Sequence, residues 1–475
     1  MRERWYTYEK VREILQSEEK SGRLKSGTYP TDSGIWELMQ QMKQLRVESR
    51  KWKAESGRVV KSREELQLEL KQLQAEYIEK TEKEQEKIAE EIVSRKYEPQ
   101  IKYDAFAKVY ETTNTSSMVV AKIIAKELKY AYGLQPQNRD VIVEQMCGLL
   151  DGEMPKVVLR ADVCDFYDSI PQEPLLQRIV ADGRLTSYSM KYLRSFFYQY
   201  NMYRPEDEGL IGIPKGLSFS AYLAELYMDA IDKKIREIPG VYFYKRYVDD
   251  MVIVANPEMG AAEEYWRRLK ACFAGTGLMI HDDSEKKHVA LWNKETNDIG
   301  FTYLGYRFQY KGGKLDVLLS QKRYHKYRIL IEAIFEIYEK CAKGMKWKDD
   351  EKRMKPLSEL VKRLRVLTGN GLLQGHKCFI ASGVYYSNKH LTSTMQLEEL
   401  DEYLHAMIDG QFCPPAKMYD YDKTGDNAKY VAKIRADLKE CSFVESFNKP
   451  KLMKSFPYET TLTQLKRIYL SRNGE

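Results

Sequence analysis

The hydrophobic pattern of this chain changes period twice along its length. Between Ile35 and Lys53, apolar residues recur at Ile35, Leu38, Met42 and Leu45, the three-and-four spacing of one helix face. A second run, REELQLELKQLQAEYIEKTEKEQEKIAEEIV, places Leu66, Leu70, Leu73 and Tyr77 in 4-3-4 steps, then slips onto Ile78, Ile88 and Ile92. With fewer than three clean heptads, the pattern predicts a helical hairpin or an arm that pairs copies of the chain, not a long coiled coil. The intervening RKWKAESGRVVKSR is basic and holds one Trp. It fits either contacts to RNA phosphates or a solvated helix end.

From Ile101 to about Leu315 the texture is mixed. Helical segments such as MVVAKIIAKELKYAY and RDVIVEQMCGLL alternate with short β-rich runs, KVVLRADV, VYFYKRY, MVIVA and FTYLGYRF. After KLDVLLS the period is helical again, beginning with QKRYHKYRILIEAIFEIYEK. The expected fold class is therefore α+β, in three parts: a helical N-terminal extension over 1–100, a mixed region over 101–315 and a helical region over 316–475.

Composition changes this picture little. A length of 475 residues, 43% of them hydrophobic, supports two or three globular cores. A net charge of +7 permits a phosphate-rich partner without demanding one. The seven cysteines form no C-x-x-C pair and no zinc spacing, which fits a reducing compartment. The start MRERWYTYEK has no apolar signal core, and no run approaches the roughly 18 apolar residues of a membrane span. A soluble, cytoplasmic protein without a membrane partner is expected.

The chemistry begins at FYKRYVDDMVIVAN, where Asp249 and Asp250 interrupt a run of strand formers. VYFYKRY and MVIVA read as a β-hairpin with the aspartates at its turn. Such a pair is either a solvated turn or, joined by other carboxylates, a divalent-metal site at a hairpin tip. A third candidate, Asp162, ends the buried strand VVLRADV, with Asp165 and Asp168 before the turn at Pro171. The separation, 249 − 162 = 87 residues, leaves room for intervening helices. Three carboxylates on two strands make the hard-oxygen set that suits Mg²⁺. The competing reading pairs Asp162 with a neighbouring Arg or Lys, for which Arg160 and Arg246 are available.

Five segments in order then carry a resemblance: ADVCDFYDSI, GIPKGLSFSAYLAELYMD, RYVDD, GLMIHDDSEKKHV and FTYLGYRF. The series resembles motifs A to E of reverse transcriptases, over roughly residues 130–310. The resemblance implies a right-hand polymerase palm and fingers within 101–315, and a thumb-like region after it. Asp162, Val163 and Asp249 would hold two Mg²⁺ ions, or Mn²⁺ in their place, with Asp250 supporting them. Asp165, Phe166 and Tyr167 would lie at the incoming deoxynucleoside triphosphate. Tyr167 matches the aromatic gate that crowds a ribose 2′-hydroxyl. Gly216 and Ser220 belong to motif B. Lys286, or its neighbour Lys287, matches the motif D lysine that protonates pyrophosphate. Leu304, Gly305 and Tyr306 resemble the primer grip. Lys322, Arg323, Lys326 and Arg328, interleaved with tyrosines, would grip a duplex through phosphates and stacking.

One position departs from the family. Most reverse transcriptases have Gln before the motif B Gly, whereas this chain has Pro214-Lys215-Gly216. Lys brings a point charge and accepts no hydrogen bond, which puts ordinary templated copying in doubt. Upstream, P-x-x-x-x-R-x-D-x-x-x-F-Y-x-S-I together with an Arg-led helix is most similar to bacterial abortive-infection and unknown-group enzymes of antiphage defence. Arg139 would then be a fingers residue near the triphosphate. The partners implied are a structured noncoding RNA, as template or scaffold, and the DNA product. A retron enzyme is the nearest rival, and protein-primed or template-independent synthesis fits the same subset. A non-catalytic nucleic-acid scaffold on the same fold has no need of three clustered carboxylates. The cyclase signature GG-D/E-E-F is absent from the sequence.

Overall fold

The strand formers flanking the aspartates build a four-stranded antiparallel sheet. The computed structural model describes residues 5–20, 34–51, 63–94, 96–105, 107–135, 137–203, 212–283, 286–295, 299–343, 350–374, 379–411, 434–451 and 458–473. The basic segment expected to meet RNA around Trp52 lies outside them. Two compact units emerge, each from separate segments. One joins Met1–Pro136, Cys164–Asp232 and Gly275–Leu278; the other joins Gln137–Val163, Lys233–Ala274 and Met279–Glu475.

In the first unit the predicted N-terminal helices are present: α1 (Tyr8–Lys20), α2 (Ile35–Lys51) and α3 (Arg63–Val93). A hairpin of β1 (Ile101–Asp104) and β2 (Val109–Thr112) leads into α4 (Thr115–Tyr132). Helix α4 begins where Asn114 accepts the Ser117 N–H, and it ends at Gly133 with φ +65°. Helices α6 (Phe166–Ser169), α7 (Gln172–Asp182), α8 (Ser187–Tyr203) and most of α9 (Ser220–Arg236) complete the unit. Its interior holds a carboxylate, Glu127, that accepts from the Thr186 N–H at 2.6 Å and from the Ser189 hydroxyl. The Tyr6 hydroxyl meets Ser189 at 2.8 Å, so one buried polar cluster ties the start of the chain to α4 and α8.

The second unit carries the sheet. Its order is β4 (Val241–Tyr247), β5 (Asp250–Ala255), β3 (Lys156–Asp162), β6 (His288–Trp292), all pairs antiparallel. On one face Val158, Val252 and Val254 meet Ile142, Met146 and Leu150 of α5 (Arg139–Asp151). Helix α10 (Ala262–Cys272) packs against β3 and β6 with Trp266 and Leu269 buried. A second sheet, β7 (Gly300–Tyr303), β8 (Tyr306–Lys311) and β9 (Lys314–Leu319), closes the α5 core with Phe301, Tyr303 and Phe308.

Beyond it, α11 (Gln321–Lys343), α12 (Asp350–Thr368), α13 (Val384–Asn388), α14 (Met395–Gln411) and the C-terminal helix Tyr458–Asn473 surround Leu330, Phe335, Leu364 and Leu404. This stretch is mostly helical, as its period predicts, with one exception. Strands β10 (Asn370–Gln374) and β11 (Phe379–Gly383) form a hairpin inside it. The run Gly369-Asn370-Gly371 stops α12, and a Cβ on Gly383 would lie 2.3 Å from the Gly369 carbonyl, so the two strand ends meet backbone to backbone. Among the described residues no helix is long and apolar enough to cross a membrane.

Candidate functional site

Antiparallel register sets the carboxylates. Asp162, last in β3, lies opposite Asp250, first in β5, while Asp249 sits in the turn before it. That turn is strained. Val248, β-branched, has φ +62°, a conformation such residues avoid. The buried Arg246 holds it by donating to the Val248 carbonyl at 2.8 Å. Cross-links fix the neighbouring backbone: the Val163 N–H donates to the Asp249 carbonyl at 3.2 Å, and the His281 N–H to the Asp162 carbonyl at 2.9 Å. Val163 itself bridges Ile280. The β-hairpin expected of VYFYKRY and MVIVA is thus present, with Asp249 in a turn that backbone and side-chain hydrogen bonds hold in place.

Asp250 and Asp162 each meet a different cation. Arg160 grips Asp250 through two bonds, Nε to Oδ1 at 2.9 Å and Nη2 to Oδ2 at 3.2 Å. Burial pushes the Asp250 pKa up to about 6; Arg160 opposes this, and Asp162 and Asp249 add to it. Asp162 receives the Lys286 ammonium at 2.9 Å. Of the partners weighed for Asp162, an Arg or a Lys, it is a lysine that meets it: side chains two apart on a strand share a face, which turns Arg160 diagonally toward Asp250. Of the two motif D candidates, Lys286 is thus the one at Asp162, and Lys287 lies over the Trp266 ring at 4.6 Å. Burial disfavours the Lys286 charge, but the Asp162 hydrogen bond and the fields of Asp162, Asp249 and Asp283 outweigh it and raise its pKa. His281, passed over in the sequence although it stands in the motif D run, has Nε2 3.1 Å from Lys286 Nζ and Nδ1 3.0 Å from Asp283.

Among the described residues no three of His, Cys, Asp and Glu form a ready-made metal cage. The donors that fit a hard cation are Asp162 and Asp249, whose fields already converge on one ammonium, that of Lys286. Asp250 is occupied by Arg160. A site with so few protein oxygens suits an ion that keeps waters and takes phosphate oxygens.

The remaining motif A and B residues belong to the first unit. Asp165 has φ +40° and starts α6, Phe166 is buried, and Tyr167 packs edge-on against it with ring centroids 5.4 Å apart. The Tyr167 carbonyl accepts the Ile213 N–H at 2.8 Å. Gly212, not singled out in the sequence, is needed there, because a Cβ would fall 2.2 Å from that carbonyl. Lys215 is exposed, and its carbonyl accepts the Tyr110 N–H at 2.7 Å. Gly216, at φ +107°, presses on β2: a Cβ would lie 2.6 Å from the Tyr110 carbonyl. Ser220 turns back to cap the Pro214 carbonyl.

The primer-grip candidates form a tight β7–β8 turn in the second unit, with Leu304 at φ +47° and Gly305 at φ +78°. Arg139 Nε and Nη2 donate to the Leu304 carbonyl at 3.0 and 2.6 Å, so its described contacts are with this turn. A cavity of about 570 Å³ runs from Arg160 and Asp250 past Gly305 to Lys322, Arg323 and Lys326, and Lys466 of the C-terminal helix joins it. Arg328 takes a different direction, over the Tyr403 ring at 4.2 Å.

Residues 111–308, somewhat under half of the chain, match the family model of reverse transcriptase (RNA-dependent DNA polymerase). No curated protein matches the sequence. Solved structures that resemble it in part include telomerase from Candida albicans with a TWJ fragment of telomeric RNA, at 13% identity and TM-score 0.33, over 83% of this chain and 60% of that one. Apo telomerase from Candida tropicalis is similar at 11% identity and TM-score 0.33, over 74% and 60%. The chain thus spans about 60% of the length of both.

Proposed function

We propose that this chain is a reverse transcriptase that adds deoxynucleotides to a DNA strand under the direction of a structured noncoding RNA, in bacterial antiphage defence. In this reading 101–315 are fingers and palm, 316–475 a thumb with added helices, and 1–100 a family-specific extension. The observation that carries it is the carboxylate group itself: Asp162 at the end of β3 and Asp249 in the turn that leads into the adjoining β5, with Asp250 ion-paired to Arg160, inside the matched segment. Asp162 and Asp249 would hold divalent ions, for which we propose Mg²⁺. Such ions lower the pKa of a primer hydroxyl and offset the charge of triphosphate and pyrophosphate. Arg160 keeps Asp250 charged and turned away from that pair. Lys286, kept protonated by its carboxylate neighbours, can give a proton to the leaving pyrophosphate.

Support for the defence setting is the pattern from Pro155 to Ile170, whose Arg is the Arg160 that grips Asp250. Lys215, an exposed charge where relatives have a neutral amide, favours a second reading in which base choice is loosened and synthesis is template-independent or protein-primed. Asp249→Asn is the direct test. It should abolish incorporation from every nucleotide in a Mg²⁺-containing primer-extension assay while the melting temperature stays near wild type. Extension at a near wild-type rate would refute the assignment.

A further inference from the structure

Arg139, first residue of α5, and Arg323 of α11 flank a single aromatic ring. Their guanidinium carbons lie 5.3 and 5.0 Å from the Tyr306 centroid. Both also donate to one carbonyl, that of Leu304, and Arg323 adds bonds to the Ser387 carbonyl and to Asn388 Oδ1 at 3.0 and 3.1 Å. Every one of these acceptors is neutral. Among the described residues neither guanidinium has a carboxylate partner within ion-pair distance. Burial, and then the charge of Arg139, lower the Arg323 pKa from the ordinary arginine value. A partly buried pair of like charges with only neutral acceptors is a standing attraction for an anion. Donors remain for it: a guanidinium has five N–H groups, and the bonds to protein use two on Arg139, while Arg323 spends three on Leu304, Ser387 and Asn388 and a further one on Tyr306.

A cavity of about 260 Å³ opens onto this pair, behind the β7–β8 turn. Lys326 and Lys466 bring its cations to four, and no Asp or Glu lines it. The remaining wall is of another character: Leu330, Val366, Leu462 and Leu465, with the Tyr327 ring beside them. One side therefore recognises negative charge and the other a flat apolar body, in a space close to the lower end of small-ligand pockets, roughly 300 Å³. Asp162 and Asp249 do not line it, so it is separate from the carboxylate pair.

We propose that this cavity binds a phosphate ester carrying an apolar body of nucleotide size, its phosphate on Arg139, Arg323, Lys326 and Lys466 and its base against the leucine wall. The ester is either a free mononucleotide or the end of a strand. This goes beyond polymerisation, and it stands or falls independently of it.

The test is calorimetric titration of the full chain in EDTA, without divalent metal, using inorganic phosphate, dAMP and a short 5′-phosphorylated single strand. Saturable binding of dAMP is expected, with phosphate weaker. Lys466→Gln should weaken it by about tenfold, the loss of one charge-assisted contact. Ser382→Trp, which fills the cavity from β11 and removes no cation, should abolish it. Asp249→Asn should leave it unchanged, which keeps this result distinct from any failure of the catalytic reading. Binding of the single strand alone, lost in Ser382→Trp, would assign the site to a strand end and support the proposal. No saturable binding of any of the three probes would overturn it. So would binding indifferent to both substitutions, and if Ser382→Trp melts early, the exposed Lys466 decides alone.

Discussion

The three aspartates of the β3–β5 corner were visible in the sequence because each stands in a motif that strand chemistry cannot explain. Their partners were not. Arg160 was available as a partner, but which carboxylate it meets depends on the β3–β5 register, a long-range fact that places Asp162 opposite Asp250 and Arg160 diagonal to it. The geometry gives Arg160 a testable role. Removing one member of a buried pair leaves the other uncompensated, at a cost of about 3–5 kcal/mol. Arg160→Met should therefore lower stability by about that amount at pH 7.5, and adding Asp250→Asn should recover part of it. The sign with pH follows from the raised Asp250 pKa of about 6. A carboxyl that holds its proton more tightly in the folded state favours folding below its unfolded value and loses that contribution as pH rises through 6. The deficit of Arg160→Met should thus shrink as pH falls from 7.5 toward 5. Urea titrations at both values check this, and a deficit that is constant with pH would mean lost packing, not lost charge.

At the level of elements, the strands around the chemistry were legible and several others were not. VYFYKRY and MVIVA pair as β4 and β5, and FTYLGYRF becomes β7 and β8 around Leu304-Gly305. The β10–β11 hairpin was missed because only its Gly-rich edge breaks a helical neighbourhood and its pairing is fixed by contacts at Gly369 and Gly383. Also unread was the docking of motif B on β2, where the turn at Gly216 closes on the Tyr110 backbone. Two glycines separate conformation from contact in this unit. Gly133 has φ +65° with nothing within 4 Å of an added Cβ, whereas Gly216 has φ +107° and a carbonyl 2.6 Å away. Gly133→Ala should cost about 1 kcal/mol, the ordinary penalty of a left-handed alanine. Gly216→Ala should cost clearly more, because Tyr110 must also move. Matching melting temperatures for the two variants would show that the docking against β2 contributes nothing.

For the whole molecule, the net charge of +7 says little, and its placement says more. The sequence grouped Lys322, Arg323, Lys326 and Arg328 as one grip, because along the chain they are one run. A helix separates them by face. Lys322, Arg323 and Lys326 line the cavity that reaches Asp250, and Lys466 arrives there from a C-terminal helix in which the sequence offered no motif. Arg328 is turned onto Tyr403 instead. This division predicts how nucleic-acid affinity depends on salt. Each phosphate contact adds roughly −0.7 to −0.9 to the slope of log affinity against log salt concentration. If the cavity carries a strand, replacing Lys322 and Lys326 by Gln should flatten the slope by roughly 1.4 to 1.8 for a primer-template duplex. Arg328→Gln should change it by much less than one contact, since its charge faces a ring on another helix. Fluorescence anisotropy between 50 and 300 mM salt measures both slopes on the same duplex. A slope that flattens equally for Arg328→Gln and for the Lys pair would mean that the strand does not follow the cavity, and the grip would have to be sought on the α14 side of the helix.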